Sequence, residues 1–125
     1  MIKWSGKFLN QKIMKTNLEK PIVISVGGSL VVPNEIDSSW LMEFRSWIIN
    51  QIDSGRQFIL ICGGGNTARK YQKVIKDNLS DYNPDNLDYL GIASTVLNTE
   101  LIKAILSDYV DPVIIKAQPQ NPQEL

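Results

Sequence analysis

Two glycine clusters carry the chemistry open to this chain of 125 residues: Gly27-Gly28, followed by Ser29, and Gly63-Gly64-Gly65, followed by Asn66 and Arg69. Glycine lacks a Cβ, so peptide N–H groups beside it can approach an anion closely, and a helix starting there adds partial positive charge. Phosphate is the ligand that suits such a place. Arg69 falls in the first turn of a helix beginning near Asn66, where a planar cationic fork can meet phosphate oxygens. The plainer reading of the glycines is that they only permit tight turns, and of Arg69 that it is a solvated helix charge. Three glycines in succession are more than one turn ordinarily needs.

Two familiar phosphate motifs can be checked directly. No G-x-x-x-x-G-K-[ST] occurs, so a P-loop NTPase is excluded by sequence. Gly63, Gly65 and Ala68 fit G-x-G-x-x-G/A, but a dinucleotide fold would place an acid about twenty residues on, at the end of the next strand. Asp81, Asp85 and Asp88 lie instead in a polar loop or on a helix.

The composition narrows the alternatives. The chain is 43% hydrophobic and 21% charged, which suits one globular domain. It contains no histidine, which removes Ser-His-Asp triads, Cys-His dyads and imidazole metal sites together; no metal site is expected from the side chains. Cys62 is the sole cysteine, so no intrachain disulfide forms and a reducing cytoplasm is the expected compartment. Lysine and arginine balance aspartate and glutamate at 13 each, yet five lysines stand in residues 1–20 beside one acid. The remainder is acidic, so no broad face for nucleic acid is expected. No run of ~18 apolar residues could cross a bilayer, and no membrane partner is expected.

The elements that must position these turns follow from apolar periodicity. Ile22 to Val26 is a β-branched run ending at glycine, and Phe58 to Cys62 is a second continuous apolar run ending at glycine. Both read as buried parallel strands. Between them, Asp37 or Ser38 caps a helix carrying Trp40, Leu41, Phe44, Trp47, Ile48 and Ile52 on one face, with Gly55 at its end. A helix runs from Asn66 or Thr67 to about Ile75. Asn83-Pro84-Asp85 opens a longer one reaching about Leu106. Val113 to Ile115 reads as a third strand. This order predicts an α/β fold, three layers (αβα) around a mostly parallel sheet, with both glycine turns on one edge. A basic extension over 1–20, a folded unit over 21–116 and a disordered Pro/Gln-rich tail over 117–125 complete the expected organisation.

On the long helix, Asp88, Gly91, Thr95 and Asn98 recur at i, i+3, i+7 and i+10 and share a face. That face is either solvated or lines the crevice. In the second case Asp88 accepts hydrogen bonds from sugar hydroxyls, and Thr95 or Asn98 donates to substrate.

Three segments together resemble the uridylate (UMP) kinases of the amino acid kinase superfamily: Ile24-Ser25-Val26-Gly27-Gly28-Ser29, Gly63 to Tyr71, and Asp88 to Asn98. The first alone would also admit carbamate, acetylglutamate, aspartate or isopentenyl phosphate kinases; the other two point to the UMP kinase branch. The resemblance implies transfer of the ATP γ-phosphoryl group to UMP, giving UDP, with Mg²⁺ accompanying ATP and no phosphoenzyme. It implies that Gly28 and Ser29 contact the ATP phosphates, that Gly65 and Arg69 lie on the ATP side, and that Gly64 and Asp88 contact UMP, Asp88 through the ribose. Gly27, Gly63, Thr95 and Asn98 are the further candidates. A homo-oligomer, commonly a hexamer, is the implied assembly. Many members carry a lysine where this chain has Ser25, so the resemblance assigns no catalytic side chain here. It covers residues 21–116, about half a kinase, which implies a truncated product or a degenerate relative kept as an inactive nucleotide-binding or assembly module. A sheet of so few strands is expected to leave an apolar edge and face exposed and to self-associate.

Overall fold

The structure, a computed structural model, describes residues 2–4 and 20–114. Its elements are β1 (Ile2–Trp4), β2 (Ile22–Val26), α1 (Gly28–Val31), α2 (Ser38–Asp53), β3 (Phe58–Cys62), α3 (Gly65–Asn78), α4 (Pro84–Ile105), a 3₁₀ turn (Ser107–Tyr109) and β4 (Val110–Ile114). The strands form one sheet in the order β2-β3-β1-β4. β2 and β3 run parallel in continuous register from Ile22 opposite Phe58 to Val26 opposite Cys62. β1 is antiparallel to both β3 and β4, so β2, β3 and β4 point the same way. The α/β class and the parallel pair agree with the sequence.

Three features differ from expectation. The lead over 1–20 was expected to stand outside the fold, whereas Ile2–Trp4 lies inside the sheet between β3 and β4. The open side of β3 presents a row of backbone N–H and C=O groups, and a short extended segment satisfies them. The last strand begins at Val110 and includes Pro112, ahead of the expected 113–115. Finally, Gly28–Val31 makes a single helical turn directly after β2, where only a tight turn was anticipated. The expected tail over 117–125 falls outside the described residues.

Helix ends follow local chemistry. Asp37 caps α2, its carboxylate accepting from the Trp40 N–H at 3.0 Å. Gly55, at φ +95°, ends that segment in a conformation that side chains resist. Asn83 caps α4 by accepting from the Asp85 N–H at 3.0 Å, with Pro84 in the first turn.

The core lies on one face of the sheet. Phe58, Leu60, Cys62 and Val26 point together toward Leu41, Ile48 and Ile52 of α2 and toward Ile102 and Leu106. Trp40, Phe44, Trp47 and Phe58 form a chain of aromatic rings with centroids 5.1, 6.5 and 6.0 Å apart. Period-2 alternation sends Val23, Ser25, Ile59 and Ile61 to the opposite face. There Val23 is 59% and Ile61 44% exposed. Of the three layers expected from sequence, the described residues build the sheet and the helical layer over the Phe58 face.

Candidate functional site

Because β2 and β3 are parallel neighbours in register, their carboxyl ends stop side by side, and both glycine turns leave the same edge of the sheet. The Gly63 N–H donates to the Val26 carbonyl at 3.2 Å, extending the ladder one residue into the turn. The turns then touch. A Cβ on Gly28 would stand 2.6 Å from the Gly63 carbonyl carbon and collide with the Gly65 amide nitrogen. Gly65 sits at φ +61°, and a Cβ there would strike the Gly28 carbonyl. Glycine at 28 and 65 is thus fixed by the contact between turns as well as by any ligand.

Gly27 differs. Among the described residues a Cβ there would meet nothing within 4 Å, so none of them requires a glycine at this place.

Gly64 stands at the start of α3 in right-handed conformation (φ −76°, ψ −21°), and Gly65 follows at φ +61°. This right-then-left alternation turns successive N–H groups toward one side, a backbone arrangement that binds anions. The Asn66 N–H is taken by the Val32 carbonyl at 3.2 Å. Those of Gly64 and Gly65 belong to the helix start, where no intrahelical acceptor exists.

α4 supports the turn from the other side. A Cβ on Gly64 would lie 2.9 Å from the Ala68 Cβ, 3.2 Å from the Ser94 Cβ and 3.3 Å from the Gly91 carbonyl oxygen. The four small residues Gly64, Ala68, Gly91 and Ser94 therefore let α3 and α4 meet closely at the turn. Gln72 pins the two helices together, its Nε2 donating to the Leu87 carbonyl at 2.8 Å. Gln72 and Ser94 are not singled out by the sequence reading, and Ala68 enters it only through the G-x-G-x-x-G/A match; for Ala68 and Ser94 the recurrence of small residues at helical spacing is the available signal. Lys70, also unremarked, ties α3 to the loop after α1 through the Asn34 carbonyl at 2.6 Å and Glu35 at 3.0 Å.

The remaining candidates divide. Ser29 is exposed in α1, beside the paired turns. Arg69 is exposed in the second turn of α3 and forms no ion pair among the described residues. Asp88 is exposed one helical turn before Gly91, so it shares the α4 face that abuts Gly64. Thr95 is half-buried, and its carbonyl accepts from the Thr99 hydroxyl. Asn98 is only 3% exposed, and its Nδ2 donates to the Gly63 carbonyl at 2.8 Å. That places Asn98 behind the turn, holding it, where the sequence offered it as a possible donor to substrate. Ser25 points to the open sheet face, away from the core.

Cys62, the last residue of β3, is buried, and burial pushes its thiol pKa up, with the Thr99 hydroxyl offsetting part of the rise. Among the described residues no group of three or more Cys, Asp or Glu side chains could hold a metal ion.

The family model described as Amino acid kinase family matches residues 20–117. This chain belongs to the amino acid kinase family. Its match to the family takes in both glycine turns and α4 in full. Among its relatives in the family, a uridylate kinase of Methanocorpusculum labreanum is 35% identical over 96 residues, covering 77% of this chain and 40% of that protein. A uridylate kinase of Pyrococcus abyssi is 31% identical over 96 residues, 75% of this chain and 40% of that protein. One of Sulfurisphaera tokodaii is 33% identical over 87 residues, 70% of this chain and 37% of that protein. The chain spans about 40% of the length of these curated relatives.

Proposed function

We propose that this chain carries the phosphate-binding part of a uridylate kinase, in which the ATP γ-phosphoryl group passes to UMP and UDP leaves. The observation that carries the reading is the direct contact of the two glycine turns at Gly28 and Gly65, because it brings two sets of backbone donors to one spot. A kinase needs that juxtaposition: donor and acceptor phosphates repel, and catalysis of phosphoryl transfer is chiefly positioning and charge stabilisation. The uridylate kinase relatives support UMP as the acceptor.

In this reading Gly28 and Ser29 meet the ATP phosphates, with Gly65 and Arg69 on the same side. Gly64 meets the UMP phosphate, and Asp88 accepts from the ribose hydroxyls. Arg69 supplies positive charge that the backbone lacks. The groups at the turns are donors, which suit phosphate oxygens and do not suit a cation, so Mg²⁺ is read as entering with ATP, as part of the substrate. The reaction belongs to nucleotide synthesis in the cytoplasm, and the working assembly is a homo-oligomer, a hexamer by resemblance.

A second reading is favoured by one observation. Ser25, at the place where many members of the superfamily have a lysine, is uncharged and directed to the open sheet face. The chain then binds nucleotide without turnover. Calorimetry with UMP and with ATP, followed by a coupled assay for UDP, separates the two: binding with turnover supports the kinase, binding alone supports the inactive module, and no binding of either nucleotide overturns both.

A further inference from the structure

We infer that Asn98 is a positioning residue that sets the direction of the Gly64 N–H, and so decides whether the second glycine turn can receive a phosphate. The inference rests on the reading of that turn as a nucleotide-phosphate cradle.

Asn98 lies 35 residues beyond Gly63 in sequence, yet its Nδ2 donates to the Gly63 carbonyl at 2.8 Å from a position only 3% exposed. A buried carboxamide costs free energy unless its polar atoms are paired, so a leucine would be the simpler occupant for a helix face packed on the sheet. What the amide adds is control of one peptide plane. Peptide units are planar, and no cis bond occurs among the described residues. The carbonyl of Gly63 and the N–H of Gly64 belong to the same unit and point in opposite directions. Tying that carbonyl to α4 therefore turns the Gly64 N–H away from α4, outward from the turn.

Among the described residues no other group donates a hydrogen bond to the Gly63 carbonyl, although Gly28 packs against it. Gly63, Gly64 and Gly65 have no side chains to resist rotation, and glycine samples both signs of φ readily. The Gly63 N–H is bonded to Val26, which fixes the preceding peptide; the next one is held by the packing of Gly28 against the Gly63 carbonyl and by the Asn98 hydrogen bond, of which only the second sets a hydrogen-bonding direction. A flipped Gly63–Gly64 unit would present a carbonyl oxygen where the phosphate belongs. Asn98 removes that alternative without touching the ligand. The lock also joins the strand end to α4, the helix that bears Asp88, so one hydrogen bond registers the phosphate donor against the ribose acceptor.

The test uses the full chain, with UMP as the probe, and Asn98→Ala and Asn98→Leu as variants. A folded variant is expected to bind UMP about fivefold to tenfold more weakly than the parent, the loss of one oriented hydrogen bond. Without ligand, its Gly64 amide resonance is expected to move while that of Gly27 stays. A purely structural role would lower the melting temperature and leave the Gly64 resonance in place. UMP affinity equal to the parent's with an unmoved Gly64 resonance overturns the inference. If the parent itself fails to bind UMP, the cradle reading fails, and the ligand-free Gly64 resonance alone decides on Asn98: displacement supports the lock and its absence overturns it. If both variants unfold, the Asn98 carboxamide protons of the parent decide; slow exchange with solvent supports the lock and free exchange overturns it.

Discussion

Gly28 and Gly65, 37 positions apart, occupy a contact in which neither can carry a Cβ: each side chain would enter the other's backbone, and Gly65 is held at φ +61° besides. Two loops that form separately at the ends of β2 and β3 are thereby made into one structure. Any ligand bound by one turn lies against the other.

Gly28→Ala is expected to destabilise by at least the ~1–3 kcal/mol of an overpacked core, since backbone atoms, not a flexible side-chain tip, stand in the way. Gly27→Ala meets no atom of the described residues within 4 Å and is expected to change stability by no more than about 0.5 kcal/mol. The same methyl group, placed beside the cradle, is expected to weaken nucleotide binding. Urea unfolding and calorimetry of the two variants read this opposition. Equal stability losses would show that the turns do not touch as described.

Arg69→Ala is expected to leave the melting temperature within error of the parent, because Arg69 is exposed and unpaired among the described residues. ATP affinity is expected to fall about tenfold or more, the scale of a charged hydrogen bond. Salt is expected to weaken ATP binding more in the parent than in the variant. A melting temperature that drops with unchanged ATP affinity would make Arg69 a structural residue.

How much of this was legible beforehand depends on the range of the interaction that decides each feature. β2 and β3 are readable because continuous apolar runs stopping at glycine carry their own signal. α2 and α4 are readable because Asp37, Asn83 and Pro84 sit at the right offsets from an apolar face. α1 is not, since four residues are too few for a period. β1 is not, since Ile2–Trp4 lies in a lysine-bearing lead and is fixed by the open side of β3, a partner far along the chain. Asn98 marks the same boundary within the site. Spacing put it on the face with Asp88 and Gly91; only tertiary structure shows that it meets the Gly63 carbonyl.

Cys62 gives a pH-dependent test of the core. Burial raises its thiol pKa in the folded chain, so the folded state holds that proton more tightly than the unfolded state. Its stability is fully present below the ordinary thiol pKa and declines as pH rises through that value toward the raised one. Denaturation midpoints at neutral pH and at about pH 10 are expected to differ less in Cys62→Ala than in the parent. Reaction with an aromatic disulfide reagent is expected to await unfolding. Rapid labelling of the folded chain would mean that Cys62 is not buried.

The exposed pair Val23 and Ile61 on the open sheet face is expected to drive self-association of the isolated chain. Val23→Thr combined with Ile61→Thr keeps β-branched shapes in the strands and adds hydroxyls. Sedimentation velocity is expected to show the double variant shifted toward monomer. An unchanged distribution would mean that other surfaces hold the copies together.

The most direct test of the shared cradle is an amide resonance titration of the intact chain with UMP and then with a non-hydrolysable ATP analogue. UMP is expected to move the Gly64 N–H first, and the analogue is expected then to move Gly28, Ser29 and Gly65, with all four shifted in the ternary state. Saturable binding of both nucleotides that leaves these four resonances in place would contradict a phosphate site at the paired glycine turns.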